Sequence, residues 1–307
     1  MDIRPQDLPE IRAELARLRT GIGFDGIVQF QSDSTISDRL GIDRVALIEL
    51  ETLNVQEAEL FHVSRDMTDL ATTAALSLPS FAMDAQDFPA EQGLICFNGG
   101  IAVRWGAHPV TVCVVSWRVL AGFGAIIAYY TDVGSFRAAM PYQEPIDAIL
   151  RSQGVASDGV WPTDIVRTVA AFISEHDERY GETEGVAQDG VAAKAWPAVR
   201  AALLLMQQPL AVVSEVEPDR AARKRLRRIG RERDSVRVIE LRRPKTAAGV
   251  SSDSSREYHH RWITRGHWRQ QWFPKREVHR PVWIAPHLKG PEGAPLIGGE
   301  KVYAWKR

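Results

Sequence analysis

The chain has 307 residues, of which 45% are apolar and 25% charged, and these proportions exclude a wholly disordered protein. The net charge of −1 conceals two regions of opposite sign. Residues 1–218 hold 15 Lys+Arg and 30 Asp+Glu, whereas residues 219–307 hold 23 and 9. The second region also carries five of the eight His and five of the nine Trp. We therefore expect an acidic body over residues 1–217 and a basic, Trp-rich domain over residues 218–307.

Cysteine usage and the first residues indicate a cytoplasmic protein. Cys96 and Cys113 are too few for a disulfide framework or a four-ligand zinc site. The first 20 residues are charged throughout and lack the apolar core of a secretory signal. The most apolar stretch, residues 111–130, is interrupted by Arg118 and two glycines. We expect no membrane span.

Apolar periodicity predicts several helices in the body. A helix over residues 7–20 places its apolar side chains on one face, and a second helix over residues 55–76 is stopped by Pro79. Residues 43–53 have the composition of a strand but can also continue a helical region, and we favour the helix. Further helices are predicted over residues 163–178 and 198–207.

Between the helices, residues 93–130 have strand character. Four β-like runs are separated there by Gly, Pro and Asn, which predicts a small antiparallel sheet. The body is therefore expected to be of the α+β class.

The sequence lacks the motifs of common enzyme classes. It contains no P-loop, H-E-x-x-H, G-x-S-x-G or C-x-x-C motif, and Gly122 and Gly124 lie in a predicted β-hairpin rather than between a strand and a helix. We expect no cofactor. His62, Glu59 and Asp66 would share one face of the helix predicted at 55–76, and we interpret them as an exposed polar face.

The basic region opens with a predicted short helix over residues 218–230. Ala222, Leu226 and Ile229 form its apolar stripe, and eight Lys+Arg between Arg220 and Arg233 face the single acid Glu232 in that interval. Such a helix either binds phosphate groups or is solvated and pairs with the acidic body of its own chain.

A strand over residues 235–243 and a flexible loop over residues 244–255 follow. Residues 256–273 then separate by parity into two strand faces, unless a bulge at Gly266 resets the alternation. One face is aromatic and the other cationic. The aromatic face contains Tyr258, His260, Trp262, Thr264, Trp268 and Trp272, and the cationic face His259, Arg261, Ile263, Arg265, His267, Arg269 and Gln271.

Two further strands, over residues 279–290 and 301–307, would complete a basic antiparallel β-meander of about four strands that includes residues 235–243. An exposed cationic face would follow a phosphate backbone, whereas an exposed aromatic face would stack unpaired bases. The remaining alternative is a core sheet whose Trp side chains fill space while its charges are solvated. The candidate nucleic-acid-binding residues are Arg223, Arg227, Arg261, Arg265, His267, Arg269, Trp268, Trp272, Lys275, Arg276, Arg280 and Lys289.

Catalysis by the same region is a second hypothesis. Metal-independent RNA cleavage needs a general base, a general acid and a cation, and His267, His279 or His259, and Arg269 supply those types. A metal site is not expected, because the only carboxylates near His259, His267, His279 and His287 are Glu257 and Glu277.

The run WITRGHWRQQWFP, followed by HRPVWIAPHLKGPEGAPL, resembles the C-terminal module of a family of uncharacterised proteins of actinobacterial phages, plasmids and chromosomes. The stretches VRVIELRRP, FPAEQGLICF and VVSW also resemble segments of those proteins. A more distant similarity, confined to R-G-H-W-R-x-Q and W-I-x-P-x-x-K-G, is to an anti-CRISPR protein that lowers the messenger RNA of a type V effector. This resemblance implies an RNA- or translation-directed role for a mobile-element protein, and it assigns no catalytic role to His267 or Arg269.

The leading hypothesis is a cytoplasmic nucleic-acid-binding protein whose ligand is RNA or another single-stranded nucleic acid. Aromatic side chains suit unstacked bases, and no helix-turn-helix is evident. The acidic body would bind a protein partner or restrain the basic region. The alternatives are a metal-independent ribonuclease that uses the C-terminal histidines and a protein-interaction module that binds no nucleic acid.

Overall fold

The computed structural model describes residues 2–19, 36–38, 40–120, 124–132, 134, 165–174, 190–228, 234–242, 259–291 and 294–295. The chain forms two compact units, Met1–Leu241 and Arg242–Arg307. The expected division at 217/218 follows the change of charge, whereas this division follows the contacts of the folded chain. The loop predicted at 244–255 and the strand predicted at 301–307 lie outside the described residues.

The first unit is built around a seven-stranded mixed sheet in the order β5-β4-β3-β2-β1-β7-β6. The interior strand β1 pairs in parallel with both of its neighbours, and the other pairs are antiparallel. The strands are β1 Glu59–Val63, β2 Gln92–Trp105, β3 His108–Leu120, β4 Gly124–Asp132, β5 Ile165–Ser174, β6 Ala211–Val216 and β7 Val236–Leu241.

Helices pack on both faces of this sheet. On one face, α1 and α2 bury Leu8, Ile11 and Leu47 against strand residues that include Leu94 and Val114. On the other face, α3 and α4 pack against each other and against β2. The helices described in this unit are α1 Leu8–Arg19, α2 Arg44–Glu57, α3 Arg65–Ala75, α4 Val191–Met206 and α5 Arg220–Arg228, with 3-10 turns at Pro5–Asp7 and Ala85–Asp87.

Local sequence explains where two of these helices begin. The side chain of Asp43 accepts a hydrogen bond from the backbone N–H of Ala46 at 2.8 Å, which caps α2. Ser64 caps α3 in the same way through the N–H of Met67. None of the described helices is long and apolar enough to cross a membrane.

The α+β class and several predicted elements are confirmed. The helix favoured at 43–53 is α2, the helix predicted at 198–207 is the second half of α4, and the strand-like run at 93–130 forms β2, β3 and β4 as an antiparallel group. The predicted strand over residues 235–243 is also present, as β7.

Two helix predictions are wrong. Strand β1 interrupts the helix predicted at 55–76, because a central strand buried on both faces shows no polar alternation and its apolar residues merged with the helical pattern. The second error is at residues 163–178. This segment was predicted to be a helix, but it contains strand β5, which pairs with β4 at the edge of the sheet. Pairing with β4 outweighs the weak helical spacing of a segment rich in β-branched residues.

His62 is buried rather than part of an exposed polar face. It lies on β1 with 4% of its surface exposed, and its Nε2 lies 2.7 Å from the carbonyl oxygen of Ile3, placed to donate. Its Nδ1 has no hydrogen-bond partner among the described residues. Burial lowers the pKa of His62, although the Ile3 carbonyl and the charges of Asp2 and Glu240 act in the opposite direction.

This burial predicts a loss of stability at mildly acidic pH. Because the pKa of His62 is lower in the folded state than in the unfolded chain, the unfolded state takes up a proton first as the pH falls through about 6.5. The free energy of unfolding should then fall by up to about 1.4 kcal/mol per pH unit. Urea unfolding between pH 7.5 and 5.5 should show a shallower pH dependence for His62→Gln than for the parent, and equal dependences would contradict the assignment.

A buried ion pair joins α1 to the segment that leads into β7. The guanidinium of Arg12 contacts the carboxylate of Asp234 and also donates to the carbonyl oxygen of Ala58 at 2.9 Å. Arg12 is 4% exposed, so its charge is almost fully removed from water. Arg12 therefore ties the first helix to the starts of both β1 and β7, since Ala58 immediately precedes β1.

Removing the carboxylate should be strongly destabilising. We expect Asp234→Ala to lower the free energy of unfolding by about 3 kcal/mol, because a buried guanidinium loses its counter-charge. The double variant Arg12→Met/Asp234→Ala should recover much of that loss, because it removes both charges. Urea denaturation of the parent and both variants measures this, and a single variant as stable as the parent would show that the pair does not hold these elements together.

Candidate nucleic-acid interface

The described part of the second unit consists of two small antiparallel ribbons. Strand β9, His267–Phe273, pairs with β10, Val278–Ile284, and forms a hairpin. Strand β8, Trp262–Thr264, pairs with β11, His287–Lys289. The expected meander containing residues 235–243 is wrong in one respect: β7 pairs with β1 and β6 in the first unit.

Two tryptophans form the interior of the hairpin. Trp283 is 8% exposed, and its ring meets that of Trp268 edge to face with 5.2 Å between centroids. Gly266 lies beside the Trp283 ring, and a Cβ at this position would also come within 3.1 Å of the Cδ of Pro286. A glycine is therefore required where the chain passes from β8 to β9.

The predicted parity holds from β8 into β9. Trp262, Thr264 and Trp268 are half-buried, whereas Arg265 and Arg269, like the other odd-numbered positions of residues 263–269, are exposed. Gly266 does not reset the alternation. The exposed cationic row consists of Arg265, His267 and Arg269.

The alternation ends towards the turn of the hairpin. Trp272, on the aromatic face, is 44% exposed, and Phe273 is 37% exposed. The Trp272 ring packs on His279 across the hairpin, with 4.9 Å between ring centroids. We call residues 272–277 the hairpin tip. The tip also carries Lys275, which is exposed.

Electrostatically, this unit is strongly positive. Residues 242–307 hold 14 Lys+Arg against five Asp+Glu, and within the described residues 259–291 Glu277 is the only acid against seven Lys+Arg. The guanidinium of Arg269 donates to Oε1 of Gln271 at 2.8 Å, which holds the cation on the face of β9. The exposed face therefore presents cations with little compensating negative charge.

The candidate residues differ in exposure. Arg280 is buried at 9% exposure, and Arg261 is half-buried with its Nε donating to the carbonyl oxygen of Ala294 at 2.8 Å. Trp268 and Arg276 are half-buried. The exposed candidates in the second unit are Arg265, His267, Arg269, Trp272, Lys275 and Lys289, and those in the first unit are Arg223 and Arg227, on α5.

The hairpin does not bring the candidate catalytic histidines together. His267 pairs with Ile284 at one end of the hairpin, and His279 pairs with Trp272 near the other. The two histidines therefore lie on opposite faces, about 17 Å apart along the strand direction. They cannot act as general base and general acid on one phosphate. Among the described residues, no group of three His, Cys, Asp or Glu side chains is placed to hold a metal ion.

One exposed aromatic residue was not among the sequence candidates. Parity places Phe273 on the cationic face, beside the predicted aromatic row rather than in it. Its position directly before Pro274 could have indicated that Phe273 is exposed, because a side chain at a turn has few neighbours to cover it.

Comparisons with known proteins give little similarity. No protein-family model matches the chain, and no curated protein matches it. Among solved structures, the chain has a weak structural neighbour in the crystal structure of AcrVA2, an anti-CRISPR protein, with a TM-score of 0.34 and 8% sequence identity. The alignment covers 92% of this chain and 93% of AcrVA2. No residue role is transferred from a similarity at this level.

Proposed function

We propose that this protein is a nucleic-acid-binding regulatory protein of mobile-element type, that its ligand is RNA, and that it binds through the exposed cationic and aromatic surface of the unit Arg242–Arg307. The regulatory and mobile-element parts of the proposal rest on the R-G-H-W-R-x-Q and W-I-x-P-x-x-K-G resemblance. The binding part rests on the geometry of the β9–β10 hairpin.

The observation that carries the proposal is the combination of a cationic row and exposed aromatic rings within residues 265–273. Arg265, His267 and Arg269 are exposed at alternate positions, and Trp272 is exposed at the tip. Alternate cations can neutralise successive phosphates, while an exposed indole offers a flat surface for a base. A cationic row and an exposed aromatic ring, which the sequence left as alternatives, therefore both occur within residues 265–272, on opposite faces of the chain.

Exposed aromatic rings favour single-stranded RNA over duplex DNA. Bases in a duplex are stacked on each other, so a ring can contact a base face only where the strand is unpaired. The Trp272 ring already packs against His279 in the free protein. The ring therefore loses little conformational freedom when a base stacks on it. Preorganisation of this kind lowers the entropic cost of binding.

Within this proposal the protein acts in the cytoplasm and its acidic body binds a protein partner. Cys96 and Cys113 are free and buried, and burial raises the pKa of Cys113 to about 12, which makes it an unreactive core thiol. Such cysteines are compatible with a reducing compartment.

Removing two cations from the row should weaken the salt dependence of binding. In the full chain, Arg265→Gln/Arg269→Gln should reduce the slope of log K against log salt for single-stranded RNA by up to about 1.4. The matched control is Arg65→Gln/Arg104→Gln, which removes two exposed arginines of the first unit. Fluorescence anisotropy at several salt concentrations measures the slopes, and a parental slope in the first variant would exclude the cationic row as the binding surface.

Replacing the exposed indole should affect single strands selectively. Trp272→Ala should weaken binding of single-stranded RNA by about 1–3 kcal/mol, which is roughly 5- to 150-fold, because one stacked base is lost. Binding of a duplex of equal length should change little. An equal loss on both ligands, or none on the single strand, would contradict a stacking role, and a thermal melt of the variant checks that the hairpin is intact.

A further inference from the structure

The basic helix α5 belongs to the first unit and not to the basic C-terminal unit. It lies between β6 and β7 in the chain and packs on α1. Ala222 and Leu226 are buried beneath it, and the side chain of Asp219 caps its first turn by accepting from the N–H of Ala222 at 2.7 Å. The helix is therefore fixed on a folded surface.

The outward face of α5 is made of cations. Its exposed basic side chains form no hydrogen bond or ion pair with any described residue. Other arginines of the same unit are paired: Arg4 with Asp7, Arg12 with Asp234 and Arg237 with Glu59. The exposed basic residues of α5 are Arg220, Arg223, Lys224, Arg227 and Arg228.

This arrangement is unfavourable for the isolated helix. Three like-charge pairs are spaced four residues apart, and each costs about 0.2–0.5 kcal/mol. The unit Met1–Leu241 contains 34 Asp+Glu, so negative partners are abundant in its sequence. The pairs four residues apart are Arg220 with Lys224, Arg223 with Arg227, and Lys224 with Arg228.

We propose that α5 is a second nucleic-acid contact, which binds the phosphate backbone without distinguishing single strands from duplexes. Guanidinium groups bind phosphate oxygens in a bidentate manner, and four of the five exposed cations are arginines. The helix exposes no large apolar or aromatic side chain, so it offers neither the apolar centre of a protein interface nor a surface for a base. This goes beyond the proposed function, which assigns binding to Arg242–Arg307 alone.

The test compares two full-length variants of equal charge. The α5 variant is Arg223→Gln/Lys224→Gln/Arg227→Gln, and the control variant is Arg65→Gln/Arg104→Gln/Lys194→Gln, which removes three exposed cations elsewhere on the same unit. The probes are a fluorescent 30-nucleotide RNA and a DNA duplex of 30 base pairs. The α5 variant should lose up to about 2 units of log–log salt slope on the single strand and up to about 2.7 on the duplex.

Thermal melting separates lost contacts from lost folding. The α5 variant removes like-charge repulsion, so its melting temperature should equal or exceed that of the parent. A parental slope on both probes, or an equal loss in the control variant, overturns the proposal.

The two proposals fail separately. If Arg265→Gln/Arg269→Gln abolishes binding while the α5 variant binds as the parent does, α5 is not a contact and the proposed function stands. If only the α5 variant loses binding, the contact at α5 is supported and the assignment to Arg242–Arg307 fails. If the parent binds neither probe at low salt, both are overturned.

Discussion

The parallel pairing of β1 with β7 is the constraint on which the arrangement of this protein depends. These strands are separated by most of the chain, yet residues 60–63 pair directly with residues 236–239 in the interior of the sheet, one strand away from its β6 edge. The chain therefore cannot leave the first unit before Leu241. The buried pair of Arg12 and Asp234 reinforces this closure, because it fastens α1 to the segment just before β7.

Because β7 pairs within the first unit, the basic part of the sequence is divided between the two units. The unit Met1–Leu241 holds 24 Lys+Arg and 34 Asp+Glu, so its net charge is −10, and α5 is a local positive surface on an acidic unit. The unit Arg242–Arg307 has a net charge of +9 and presents its cations on a hairpin with exposed aromatic rings. The two surfaces differ in chemistry, since only the hairpin carries rings on which bases can stack.

The sequence predicted the elements that depend on local pattern. The antiparallel group β2 to β4 follows from β-like runs broken by turn residues. Residues 43–53 were ambiguous between strand and helix, and the favoured helix is α2, whose Asp43 cap only the structure showed. Sequence-based prediction failed where pairing with a distant partner decides the conformation. Strand β1 takes its conformation from β2 and β7, and β5 takes its conformation from β4. These pairings cannot be read from the short stretch of sequence that forms each strand.

The candidate interface also combines features that follow from local sequence with features that depend on distant contacts. The alternation of half-buried and exposed residues along 262–269 follows from strand geometry and was predicted. The burial of Arg280 and the exposure of Trp272 and Phe273 were not, because each depends on where the hairpin is covered by neighbours. Similarly, the charge of α5 was evident in the sequence, but its place in the first unit follows only from the pairing of β7 with β1.

Contact between the hairpin tip and an unpaired RNA base can be detected by ultraviolet cross-linking. The full chain would be irradiated with a single-stranded RNA at moderate salt, digested, and examined by mass spectrometry for nucleotide-bearing peptides. Adducts at Trp272 or Phe273, lost when an unlabelled single strand competes, are the expected result. Adducts only on peptides outside residues 259–291, or none at RNA concentrations that saturate binding, would contradict it.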